Sequence, residues 1–132
     1  MFVEIISRIL FGSEASRRHS VSAQTESKIK NDWVSVQLAL QQKTPSQLKQ
    51  AVITADRALD SALRDVFPGE TMGERLKLAK DRFDVVTYNK IWEGHKVRNA
   101  LAHEAGYDPP YYVLSGAIEN LKRGLVALGV KI

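Results

Sequence analysis

The chain has 132 residues, 44% hydrophobic and 26% charged, which suits one globular domain with a single core. It contains no cysteine, which excludes disulfides, thiol catalysis and cysteine–zinc sites and fits a cytosolic, cytoplasmic setting. The net charge of +4 is compatible with a nucleic-acid partner, but no dense block of Lys and Arg concentrates it.

Residues 1–11 place Phe2, Ile5, Ile6 and Ile9 at helical spacing, which predicts a short amphipathic N-terminal helix. The run is too short to span a membrane and lacks the basic start and cleavage site of a secretory signal. Packing or self-association is favoured over membrane contact, because its polar face is not lysine-rich. Residues 12–24, with four serines and Arg17-Arg18, read as a flexible linker. His19 within it is given no role.

Residues 25–132 then read as a helical bundle. Ile29, Trp33, Val36 and Leu40 mark a helix over 25–42. Thr44, Pro45 and Gln47 form a capping signature for a second helix. Its apolar stripe, Leu48 to Val66, runs to Phe67, and Asp56, Arg57, Asp60, Arg64 and Asp65 are assigned to its surface. Pro68-Gly69 stops it. Thr71 and Glu74 start a short helix with Leu76, Leu78 and Ala79, ending near Phe83. A break at Asp84 leads to a helix from about Thr87 to Ala105-Gly106. Asp108 is read as the cap of a last helix, whose apolar face is Leu114, Ala117, Ile118, Leu121, Leu125 and Leu128. No alternating strand pattern competes. The expected fold is therefore all-α, an up-and-down antiparallel four-helix bundle with an extra short helix and the N-terminal amphipathic helix.

The penultimate helix carries an unusual polar stripe. His95, Asn99 and His103 fall at i, i+4 and i+8, within ~80° of arc. Arg98 projects from a neighbouring face. Polar side chains gain nothing from an apolar surrounding unless they are hydrogen-bonded, so the stripe needs a purpose. Metal binding is not expected, because these side chains are sparse and i, i+8 histidines lie ~12 Å apart along a helix. No cofactor is expected either, since Pro68 to Glu74 lacks the lysine of a P-loop.

Arg98-Asn99-Ala100-Leu101-Ala102-His103 matches Arg-Asn-x-x-x-His, and with it the chain resembles the HEPN domain family (higher eukaryotes and prokaryotes nucleotide-binding). The Trp-Glu-Gly-His-Lys-Val approach, the Gly-Glu-Thr-Met-Gly-Glu-Arg-Leu connection and the His-Glu-x-Gly-Tyr exit look like small bacterial HEPN-type proteins, and the likeness covers about residues 30–130. The resemblance implies a homodimer with the two motif helices facing one another across an RNA-holding cleft. It implies metal-independent endoribonuclease activity in a toxin or defence setting. Arg98 would stabilise the scissile phosphate, Asn99 would position groups, and His103 would carry a proton. His95, Lys96 and Glu104 are candidate substrate contacts beside them; His95 is read first as a hydrogen-bonded structural histidine, and otherwise as a second proton carrier or a phosphate contact.

The chemistry fits these residue types. A histidine has an ordinary pKa of about 6.5, which suits proton transfer near neutral pH. A guanidinium presents a fixed fork of donors matched to phosphate oxygens. Cleavage would leave a 2′,3′-cyclic phosphate and a 5′-hydroxyl. Relatives paired with an antitoxin often carry a tyrosine two residues after the histidine. Here Ala105 holds that position, which argues against control through a modified tyrosine, while an antitoxin or other regulatory protein stays a candidate partner. The alternative reading is a non-catalytic module of the same geometry, binding nucleotides, RNA or another protein.

Overall fold

The computed structural model describes residues 19–132, so the expected N-terminal helix over 1–11 lies outside it. Ser22 is extended, and its hydroxyl accepts the Thr25 N–H at 3.2 Å. Helix α1 (Ala23–Gln42) therefore starts two residues earlier than the apolar spacing suggested, because a polar cap set the boundary. Lys43 closes α1 in the left-handed region, with φ 61°.

Thr44 and Pro45 then open α2 (Pro45–Val66), with Thr44 Oγ1 accepting the Gln47 N–H. Thr71 caps α3 (Met72–Leu78) in the same way, accepting from Glu74 N–H at 3.1 Å. The reciprocal half differs from a full capping box. Glu74 accepts the Glu70 N–H, one residue upstream of the cap. Helix α3 ends at Leu78, not near Phe83, and one 3₁₀ turn (Lys80–Arg82) follows. Leu78 is exposed, whereas Leu76, Ala79 and Phe83 are buried.

Asp84 is itself the cap of α4 (Val85–His103), which starts two residues before Thr87. The Thr87 backbone N–H donates to the Asp84 carboxylate at 2.8 Å and its hydroxyl at 3.0 Å, and together they hold that carboxyl below its ordinary value of 3.8. A depressed carboxyl contributes stability above its unfolded value and loses it as the pH falls through the folded value. Asp84→Ala is therefore expected to melt below the parent protein at neutral pH. The two melting curves should converge in acid, followed by circular dichroism. An equal gap at every pH would contradict the charged cap.

Helix α5 (Tyr111–Ala127) corrects a further expectation. Pro110 occupies its cap position without a side-chain bond, and Asp108 instead pairs with Lys49 of α2 at 2.9 Å. Proline has no backbone N–H to satisfy, and its ring offers no acceptor to the first turn of α5. The C-terminus of α5 closes with Gly129 at φ 90° and a Val130 N–H to Leu125 carbonyl bond of 3.0 Å, a Schellman turn that left-handed glycine allows.

The described residues are all helical, with five α-helices and no strand. Helix α2 sits at the centre and packs on α1, α3, α4 and α5, while α4 also packs along α5. The core is built from Ile29, Trp33 and Val36 of α1, Leu48, Leu59 and Leu63 of α2, Ile91 of α4, and Leu114, Ile118, Leu121 and Leu125 of α5. Helix α4 approaches α5 closely at Gly94. A Cβ there would lie 3.0 Å from the Ala117 carbonyl oxygen and 2.9 Å from Leu121 Cγ. That contact fixes which turn of α4 meets the core and so fixes the direction of its polar side chains. No described helix is long and apolar enough to cross a membrane.

Candidate functional site

A cleft of about 540 Å³ opens where α2, α3 and α4 meet. From α4 it is lined by His95, Arg98 and Asn99, and from α2 by Asp56, Arg57 and Asp60. Gly94 and Ile91 turn the buried side of α4 to the core. His95 follows Gly94 directly and is carried to the edge of that buried side, where α2 faces it.

His95 is 8% exposed and Asp56 is 4% exposed. His95 Nδ1 lies 3.0 and 3.2 Å from the two Asp56 carboxylate oxygens. The Trp92 ring stands edge-on to the imidazole at 5.8 Å between centroids. With Nδ1 donating to Asp56, Nε2 is the remaining ring nitrogen, and it has no protein partner among the described residues. Asp56 thus corrects its assignment to the surface of α2. It borders the apolar stripe of Val52 and Leu59, and α4 covers it.

Arg98 leans on the same carboxylate, with Nε 3.7 Å from Asp56 Oδ2, and donates through NH1 to Asn99 Oδ1 at 3.0 Å. The first is an ion pair at longer than hydrogen-bond range, and the second is a hydrogen bond. Asn99 therefore holds the Arg98 guanidinium at the cleft. Arg75 and Arg64 are already committed to Asp60, at 2.8 and 3.4 Å. Arg57 is exposed, lines the cleft and has no ion pair among the described residues. In the sequence it reads as one of several surface charges on α2.

The remaining candidates lie elsewhere. His103 is the last residue of α4, exposed, and does not line the cleft. It lies ~140° around the helix from Arg98, so the two side chains leave α4 on different sides. Lys96 shares the exposed side with His103, about two helical turns away and within ~20° of it around the helix. Glu104 is exposed, with its N–H closing the helix on the Ala100 carbonyl. One chain thus brings His95, Arg98 and Asn99 together and sets His103, Lys96 and Glu104 apart from them. Tyr112, at the start of α5, is 74% exposed, and no motif or spacing singles it out in the sequence. No group of three metal-ligating side chains exists among the described residues.

Set against models of known families, curated proteins and solved structures, the chain finds no match.

Proposed function

We propose that this protein is a HEPN-like, metal-independent endoribonuclease whose site is completed across a homodimer in the cytoplasm. The observation that carries the reading is the division of the Arg-Asn-x-x-x-His unit. Arg98 and Asn99 sit in the cleft, and His103 of the same helix, exposed and without a hydrogen bond or ion pair among the described residues, lies outside it. A second copy approaching α4 would bring its own His103 towards the Arg98 of the first. Isologous contact of this kind makes two equivalent sites from one surface. The bundle we infer is antiparallel and up-and-down, formed by α1, α2, α4 and α5. Its support is the connection of α1 to α2 through Lys43 and Thr44 alone, and the packing of α2 and α4 on α5.

In the reaction, His103 takes the proton of the ribose 2′-hydroxyl, and the resulting oxygen attacks the adjacent phosphorus. Arg98 and Arg57 neutralise the charge that develops on the non-bridging oxygens. Lys96 and Glu104 border the path of the strand, and Tyr112 offers a face for an unstacked base. The test is incubation of single-stranded RNA with the protein in EDTA. The expected products carry 2′,3′-cyclic phosphate and 5′-hydroxyl ends. RNA left intact would remove the catalytic reading.

A non-catalytic RNA- or nucleotide-binding module has an observation of its own. Arg98 is already engaged by Asn99 and Asp56. In that reading Arg98 is a structural strut, and RNA is retained without being cut.

A further inference from the structure

We propose that Asp56 and His95 form the general acid of the cleavage step, with His95 Nε2 delivering a proton to the departing 5′-oxygen and Asp56 as its positioning residue. The assignment rests on the nuclease reading and goes beyond it, because the motif supplies only one proton carrier. Cleavage of RNA without a metal needs two proton transfers, one at the nucleophile and one at the leaving group on the opposite side of phosphorus. His103 serves the first.

The second group must lie in the cleft, hold a proton, and stand within reach of a phosphate bound by Arg98. His95 is the histidine placed for that task. It lines the cleft one turn before Arg98, ~4.5 Å along the helix. Its Nδ1 is fixed by Asp56 at 3.0 Å, so the ring orientation is set and Nε2 is the nitrogen left for exchange. Asp56 is 4% exposed, so its carboxylate holds the ring from a fixed position. A buried Asp–His pair is by itself a weak source of stability, so packing alone does not account for it. His95 and His103 of one chain lie ~12 Å apart along α4, too far to serve one phosphodiester. They meet only when His103 comes from the second chain, as the composite site requires.

The step balances. The 2′-oxygen forms a bond to phosphorus and passes its proton to His103. The bond from phosphorus to the 5′-oxygen breaks, and that oxygen takes the His95 Nε2 proton. His103 ends protonated and His95 neutral, and exchange with water restores both.

The experiment compares two oligoribonucleotides in EDTA, one with an ordinary linkage and one whose 5′-bridging oxygen is sulfur. A thiolate leaves without protonation, so it does not need the acid. His95→Gln is expected to lose about 10²- to 10⁴-fold in kcat on the ordinary linkage, yet to cut the sulfur linkage within about tenfold of the parent protein. Asp56→Asn should show the same rescue with KM little changed. His103→Ala should not be rescued, since it removes the base. If His95→Gln unfolds by circular dichroism, His95→Asn takes its place. A folded His95 variant that cuts both linkages at the parent rate, or loses both equally, overturns the assignment while leaving the nuclease intact. A parent protein that cuts neither linkage overturns the nuclease reading, and this assignment with it.

Discussion

His103→Ala is expected to lower the rate of RNA cleavage by about 10²- to 10⁴-fold, the usual contribution of a positioned proton carrier. The same change should leave stability within about 0.5 kcal/mol of the parent. His103 is exposed at the end of α4 and has no hydrogen bond or ion pair among the described residues, so truncation removes no packing and strands no partner. Its imidazole has one structural virtue, a favourable position near the negative end of the α4 dipole when protonated. That effect is small and screened by salt. The combination of lost rate and retained melting temperature separates a chemical role from a structural one. A variant as active as the parent would place the proton carrier elsewhere.

Arg75→Met is expected to cost about 3–5 kcal/mol of folding stability, measured by urea denaturation, with no comparable change in slope. Arg75 is 4% exposed, and its guanidinium holds three acceptors at once. It meets the two Asp60 oxygens at 2.8 and 3.1 Å and the Gly69 carbonyl at 2.5 Å. These bonds tie α3 to α2 and set the loop between them, which forms one wall of the cleft. Methionine keeps much of the stem's packing but leaves the Gly69 carbonyl without this donor and Asp60 with only the exposed Arg64 at 3.4 Å. Removing one partner of a buried pair strands the other, which is why the expected loss exceeds that of a surface ion pair. A loss below about 1 kcal/mol would mean that water replaces the guanidinium freely.

The helices were legible in the sequence because their signals are local. Thr44 and Thr71 cap the turns that follow them, and the stripes of α1, α2 and α5 bury the apolar residues that their spacing marked. Asp108 shows how such a signal misleads. It stands at a plausible cap position, but Lys49 of α2 reaches it first. The cleft was less legible. Asp56 read as one of five charges along α2, and only its encounter with His95, 39 residues later, makes it buried and paired. Arg75 drew no notice for the same reason, since its partner Asp60 lies on another helix. The spacing of His95, Asn99 and His103 was visible from the start. Which of them face the cleft depends on how Gly94 sets α4 against α5, a contact that helical periodicity alone does not specify.

Mixing two inactive variants tests the composite site most directly. Arg98→Ala and His103→Ala are each expected to be inactive alone. If one site takes Arg98 from one chain and His103 from the other, a mixed dimer keeps one intact site of its two. Random exchange in an equal mixture should then recover about a quarter of the parent activity, because half of the dimers are mixed. Recovery of cleavage in EDTA on mixing is the result this account predicts. A mixture that stays as inactive as its components, while the parent protein cuts RNA, would place Arg98 and His103 of one chain at the same phosphate and contradict it.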